Sequence, residues 1–408
     1  MTQPGVYERF LDHAHRADPY PLFPELHGEP VARQPDGSYV VSSYREIVAL
    51  LHDPRVSADP RNLPESCIRG LALSEEESGT TPAFIGRDSP DHDRLRRLVM
   101  RHFGPPSAAG RIDGMTAWMG EVVAGLIDDF AGRDRIDVVD DFAYPFPVTV
   151  ICELLGVPRE DEPRFHVWSQ TLIDSIDPTS GSVAERNQRR RRTTAELREY
   201  LNGLVEAHLR KPGDDLLSAL AADGEMSRED VLATAALLLV AGHETTVNLI
   251  ANGVLTLLRH PDVYERLRRD PGLAVGVVEE LLRYEPPVQM LGPRRTALSD
   301  IEVAGVTIPQ GSVITLMLAA GSRDPGRFPD PNHFDPDRHD NQHLGFGGGV
   351  HYCFGAPLAR QEARIALTEF SRRVVNPRLV TDPPPYRRSA TLRGPRHLPV
   401  DIDGVIPA

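Results

Sequence analysis

Lysine is nearly absent from this chain: Lys211 is the one lysine among 408 residues, and the other basic side chains apart from histidine are arginine. Any cationic surface must therefore be built from guanidinium groups, whose planar forks suit carboxylates. Cysteine is scarce too. Cys67, Cys152 and Cys353 are too few and too scattered for a disulfide framework or a zinc site, so a reducing cytoplasm is the expected setting. The first ten residues carry no apolar run suited to a signal peptide or membrane anchor, and a protein free in solution is expected. An excess of positive charge is missing as well. The 45 basic and 59 acidic side chains leave a formal net charge of −14, which argues against partnership with nucleic acid or an anionic membrane. With 40% hydrophobic and 25% charged residues, the composition is that of an ordinary globular protein able to bury a substantial core.

What is present is a patterned chain with no internal repeat. Ser38 to Ser42 reads as a strand, followed by a helix from Ser43 to His52 that stops at Pro54. Residues 61 to 87 are polar and irregular, the length and texture of a lid, a binding loop or a disordered segment. A helix should open near Asp88 or Ser89, placing His92 and Arg96 on one face. That face reads either as a solvated basic surface or as a clamp for buried carboxylates. Helical periodicity runs from about 108 to 220, broken at Tyr144 to Pro147 and at Ile176 to Gly181. Within it, Arg189 to Arg192 reads as a solvated helix face. The longest helical signal starts at a capping Ser227 and ends before Pro261, roughly 50 Å. Its first half, Val231 to Ala241, is almost uniformly apolar and is expected to be buried all round.

Three short stretches carry chemistry. Into the long helix the sequence places Gly242, Glu244 and Thr245, a costly group for a buried position. Thr245 reads either as a hydroxyl bonded back to the carbonyl of Ala241 or as part of a groove, lined by Gly242, that holds a small ligand and a proton relay. Glu280 and Arg283 stand at i, i+3, which alone suggests only a surface pair. The loop from Phe346 to Pro357 surrounds Cys353 with Gly347, Gly348, Gly349 and Gly355. Pro357 then begins a helix whose apolar face is Ala359, Ala363, Ala366, Leu367 and Phe370. Glycines allow close approach to a flat ligand, and N–H groups at a helix start favour a thiolate. A glycine-rich loop with one buried cysteine is the competing reading.

Taken in order, Phe346-Gly347-x-Gly349-x-His351-x-Cys353-x-Gly355, Glu280-x-x-Arg283 and Ala241-Gly242-x-Glu244-Thr245-Thr246 resemble the cytochrome P-450 family in its soluble bacterial form. The resemblance covers nearly the whole chain. It implies a mainly α fold with a smaller β-rich region, one domain over 1–408, β-rich near 24–60, 294–318 and 375–402. Haem b would lie between the long central helix and the helix after the cysteine, with Cys353 as iron ligand. His92, Arg96, Arg295 and His351 would hold the haem carboxylates, beside Phe346 and Gly347. Glu280, Arg283 and Arg338 would brace the cysteine loop, while Glu244 and Thr245 would deliver protons during O2 activation.

The implied reaction places one oxygen atom of O2 in a hydrophobic small molecule, by hydroxylation or epoxidation, in secondary metabolism. Electrons would come from a ferredoxin and ferredoxin reductase, docking near Arg97, Arg101, Arg360 and Arg364 on a cytoplasmic monomer. Phe84, Leu237, Val240, Ala241, Val288, Leu291, Gly292 and Leu392 are the expected substrate pocket. Ser322 departs from the asparagine usual in bacterial relatives, with no change of chemistry expected. A peroxide-driven peroxygenase and a non-catalytic haem gas sensor are the alternatives.

Overall fold

The structure, a computed structural model, describes residues 4–64, 82–103, 111–176 and 181–407. It is mainly helical. The principal helices are α1 (Tyr44–Leu51), α2 (Asp91–Phe103), α3 (Thr116–Asp128), α4 (Pro145–Leu155), α5 (Glu162–Ile176), α6 (Val183–Arg210), α7 (Arg228–Arg259), α8 (Ala274–Tyr284) and α9 (Ala356–Arg373). Helix α7 is the axis of the fold, with α4, α5, α6, α8 and α9 packed on it. Ser227 caps it by accepting from the Asp230 N–H, and Pro261 starts the next helix. This helix is apolar and long enough to cross a membrane, but most of it is buried by the elements around it, as a core helix is.

The expected burial pattern of α7 is inverted. Residues 246–257 are buried on every side, whereas Ala233, Ala236, Leu237, Val240 and Ala241 form a partly open stripe that Thr245 continues. Steps of three and four place these residues on one face. The first half is therefore apolar on a partly open face as well as on the faces that meet the core. Where α7 crosses α9, a Cβ on Gly253 would stand 3.0 Å from Leu367 and 3.1 Å from Leu281. Glycine there sets the spacing between the two helices.

Ten strands complete the described fold. Strands β1 (Val31–Arg33), β2 (Tyr39–Val41), β3 (Val56–Ser57), β5 (Leu291–Ala297) and β8 (Val313–Leu316) form one sheet in the order β1-β2-β8-β5-β3. Only β2 and β8 pair in parallel within it. β6 (Ile301–Val303) and β7 (Val306–Ile308) make a hairpin. β4 (Arg135–Asp137), β9 (Arg378–Leu379) and β10 (Pro399–Asp401) form the third sheet. β4 lies inside the stretch expected to be helical, because its partner β10 is remote in sequence. Pro145 begins α4 at its first turn, where a missing N–H costs nothing. Ser182 and Glu185 form a capping box at the start of α6. The greater part of the expected 61–87 lid, residues 65–81, lies outside the described residues.

Candidate functional site

The cysteine loop is set by its backbone. Gly347 and Gly349 have φ of 66° and 63°, and a Cβ on Gly349 would meet the Leu51 carbonyl oxygen at 2.0 Å. The Cys353 N–H donates to the Phe346 carbonyl at 2.9 Å, closing the loop. Burial pushes the Cys353 thiol up, and the N–H groups of Gly355 and Ala356 with the charges of Arg96 and Arg360 oppose it. The expected donors are therefore at the sulfur, but they do not make a thiolate alone. A coordinated metal ion does that outright. Phe346 is buried under the Arg360 guanidinium, 4.6 Å from its ring centroid.

On one side of the loop four cationic or imidazole groups converge. The His92 and His351 rings lie 4.4 Å apart. Burial, with Arg295, His92 and Arg96 adding repulsion, lowers His351 to about 3. Burial also lowers Arg96, against the pull of Cys353 and Asp93, and Arg295, against that of Asp88. His92 Nδ1 is held by Asp93 at 2.7 Å, while His92 Nε2 and His351 Nδ1 are buried without a hydrogen-bond partner among the described residues. Half-buried guanidinium groups beside imidazoles with orphaned nitrogens fit a bulky dianion, and the two carboxylates of haem b would supply that charge. A thiol on a glycine loop and a dianion clamp beside it fit this cofactor.

Beneath the loop, Arg283 uses all five of its N–H donors. They reach Glu280 Oε1 and Oε2 at 2.7 and 2.8 Å and the carbonyls of Ser322, Pro331 and His333 at 3.2, 2.8 and 3.0 Å. Arg338 stands 3.3 Å from Glu280, which also accepts from the Asp335 N–H and from Asn341. Glu280 and Arg283 are fully buried, so the weak i, i+3 surface pair is an internal network. Ser322 accepts from the Leu344 N–H at 3.1 Å, leading into the cysteine loop.

Above the loop, the Thr245 hydroxyl donates to the Ala241 carbonyl at 2.7 Å, in the open stripe. Glu244 points the other way. It is buried, 3.4 Å from Arg387, and burial pushes its carboxyl up against the pull of Arg387. The acid and alcohol thus occupy different faces of α7. Gly242 does not line the groove as expected, since its Cβ direction meets Ile151 of α4 at 3.2 Å. Phe84 is also misplaced as a pocket residue. Its ring is buried against His92 and Phe354, and its neighbour Ile85 is the exposed one. Leu237, Val240 and Ala241 lie on the open stripe, Val288, Leu291 and Gly292 are partly exposed, and Leu392 bridges to Val288.

Three residues escaped sequence reasoning. Arg387 meets Glu244, and Gln170 meets Arg387, only through tertiary structure. Glu362 was legible, because it stands three residues after Ala359 and four before Ala366, inside the apolar face of α9. Burial pushes its carboxyl well up, and a hydrogen bond with Thr246 opposes the shift.

The family model for cytochrome P-450 matches residues 74–392. Cytochrome P-450 monooxygenase PikC of Streptomyces venezuelae is 40% identical over 400 residues, 94% of this chain and 91% of that protein. The 6-deoxyerythronolide B hydroxylase of Saccharopolyspora erythraea is 37% identical over 379 residues, 90% of this chain and 91% of that one. The ligand-free crystal structure of Mycobacterium smegmatis CYP164A2 superposes with a TM-score of 0.88 at 38% identity, covering 97% of this chain and 99% of that chain. With the cysteine loop, the cluster of His92, Arg96, Arg295 and His351 and the buried Glu280–Arg283 network, these likenesses establish that the chain belongs to the cytochrome P-450 family of haem-thiolate monooxygenases.

Proposed function

We propose that this monooxygenase draws electrons from a separate ferredoxin and its reductase, and that Glu244 and Thr245 manage the protons of O2 activation. When bound, haem b supplies O2 activation and oxygen-atom transfer; Cys353 would ligate its iron, and His92, Arg96, Arg295 and His351 would hold its carboxylates. The convergence of those four groups beside Cys353 is the observation that carries the proposal. Thr245 Oγ1 gives its hydrogen to Ala241, which leaves oxygen lone pairs directed into the open stripe. Glu244 behind it holds a proton readily, since burial raises its affinity for one. Glu280, Arg283 and Arg338 keep the loop under the cofactor rigid.

The partner face is the cysteine side. Val350 is 55% and Tyr352 37% exposed there, which gives an apolar contact beside the arginines. Arg97 is exposed, Arg101 and Arg360 are paired with Glu225 and Glu279, and Arg364 stands 3.8 Å from Glu279, so Arg97 leads in recruiting an acidic partner. The substrate is a hydrophobic small molecule of polyketide or similar class, placed over Leu237, Val240 and Ala241. The protein works as a cytoplasmic monomer. Reconstitution with ferredoxin, reductase and a nicotinamide donor, after a compound screen for the low-spin to high-spin shift, tests the proposal. Hydroxylated product is expected at a rate well above that with peroxide alone. Equal rates would overturn the partner assignment in favour of a peroxygenase.

A further inference from the structure

We propose that Gln170 is a positioning residue: from α5 it holds Arg387 beside Glu244, so that the seating of α5 sets the charge of the acid on α7. Its functional meaning rests on the assignment of Glu244 to proton delivery. Arg387 Nη1 donates to Gln170 Oε1 at 2.8 Å, and the same nitrogen stands 3.4 Å from Glu244 Oε2. Gln170 Nε2 in turn donates to Asp174 Oδ1 at 2.9 Å, one helical turn on. With a guanidinium on one side and a carboxylate on the other, only one orientation of the amide satisfies both neighbours. The amide is neutral, so it aims the guanidinium without competing for its charge.

The Glu244–Arg387 pair is not self-sufficient. A forked pair would make two short parallel bonds. Here Glu244 Oε1 and Arg387 Nε are buried without a hydrogen-bond partner among the described residues, and the contact is a single longer one. What fixes Arg387 is Gln170 on α5 together with its own N–H bond to Gly394. Among the described residues, the other charged or titratable groups around Glu244 are Asp174 on α5, Arg396 near the C-terminus, Tyr144 ahead of α4 and the adjacent His243. Asp174 disfavours the anion and Arg396 favours it, so Arg387 is the main support of the carboxylate. When α5 is displaced, Arg387 loses its anchor, and burial then drives a proton onto Glu244.

Infrared difference spectroscopy on the haem-loaded full chain, with Glu244→Gln as the subtraction reference, reads the Glu244 titration directly. Gln170→Met should move it to higher pH, by less than Arg387→Met does. Gln170→Ser, which is too short to reach Arg387, should repeat the Gln170→Met shift, and Thr171→Val on the same helix should leave the titration where it is. A wild-type titration in both Gln170 variants while Arg387→Met shifts would overturn the proposal, because Arg387 would then be held without α5. No shift in Arg387→Met would overturn it as well. Failure of the proton-delivery assignment is seen separately, as full coupling of reductant to product in Glu244→Gln.

Discussion

Replacing Arg283 with lysine keeps the charge and most of the length of the side chain, and should still be among the most damaging single changes in the protein. Five donors leave the guanidinium, two to Glu280 and three to main-chain carbonyls, and neither Arg283 nor Glu280 has any exposed surface. An ammonium has three donors and no fork. Lysine therefore leaves at least two buried acceptors unmade, each costing about 1–3 kcal/mol. Part of that cost is offset, since Arg338, Asn341 and the Asp335 N–H still serve Glu280. We expect a net loss of about 3 kcal/mol, rising to about 3–5 kcal/mol for Arg283→Met, which strands a buried carboxylate. Urea unfolding followed by tryptophan fluorescence and the Soret band should show a midpoint about 1 M lower for Arg283→Lys, taking a slope of about 3 kcal/mol/M. Arg192→Lys, an exposed i, i+4 partner of Glu196, is the control and should not move the midpoint. A wild-type midpoint for Arg283→Lys would refute the reasoning, since it would mean the five bonds are not made together.

Gly349→Ala places a Cβ 2.0 Å from the Leu51 carbonyl at a positive φ, so the purified variant should retain little haem, measured as the Soret to protein absorbance ratio. Thr245→Ala should fold normally and lower product formation by about 100-fold, while reductant consumption continues and hydrogen peroxide appears in place of product. Glu279 is held at about 2: burial alone would raise it, but hydrogen bonds from His343 and Arg360 prevail. A depressed carboxyl stabilises the fold above its unfolded value and loses that effect as pH falls through the folded one. Glu279→Gln should thus cost roughly 2 kcal/mol near neutrality, and its deficit against wild type should shrink between about pH 4 and pH 2 in urea titrations.

The parts of the fold that were legible are those whose chemistry is local. Ser227 and Pro261 bound α7, Pro357 opens α9, and the glycines around Cys353 announce a loop that must approach something flat. Glu280 and Arg283 could be paired from spacing, but their burial could not be seen, because it depends on carbonyls 39 to 50 residues away. β4 stayed hidden because three residues show no usable alternation and its partner lies at the other end of the chain. The direction of a glycine's missing side chain is likewise invisible in sequence, which is why Gly242 was assigned to the groove rather than to its contact with Ile151. Phe84 was placed in the pocket because apolar residues in a loop suit one, yet an aromatic beside His92 and Phe354 is worth more in the core. Arg387 came to light only as the counter-charge that a buried Glu244 demands.

The central claim is that Cys353, as thiolate, is the iron ligand of a haem held by His92, Arg96, Arg295 and His351. The absorption spectrum of the dithionite-reduced protein under carbon monoxide tests it most directly. A red-shifted Soret band of the thiolate-ligated type is expected for the wild-type chain, and its loss is expected for Cys353→His. A histidine-type Soret band from the wild-type protein would contradict the assignment.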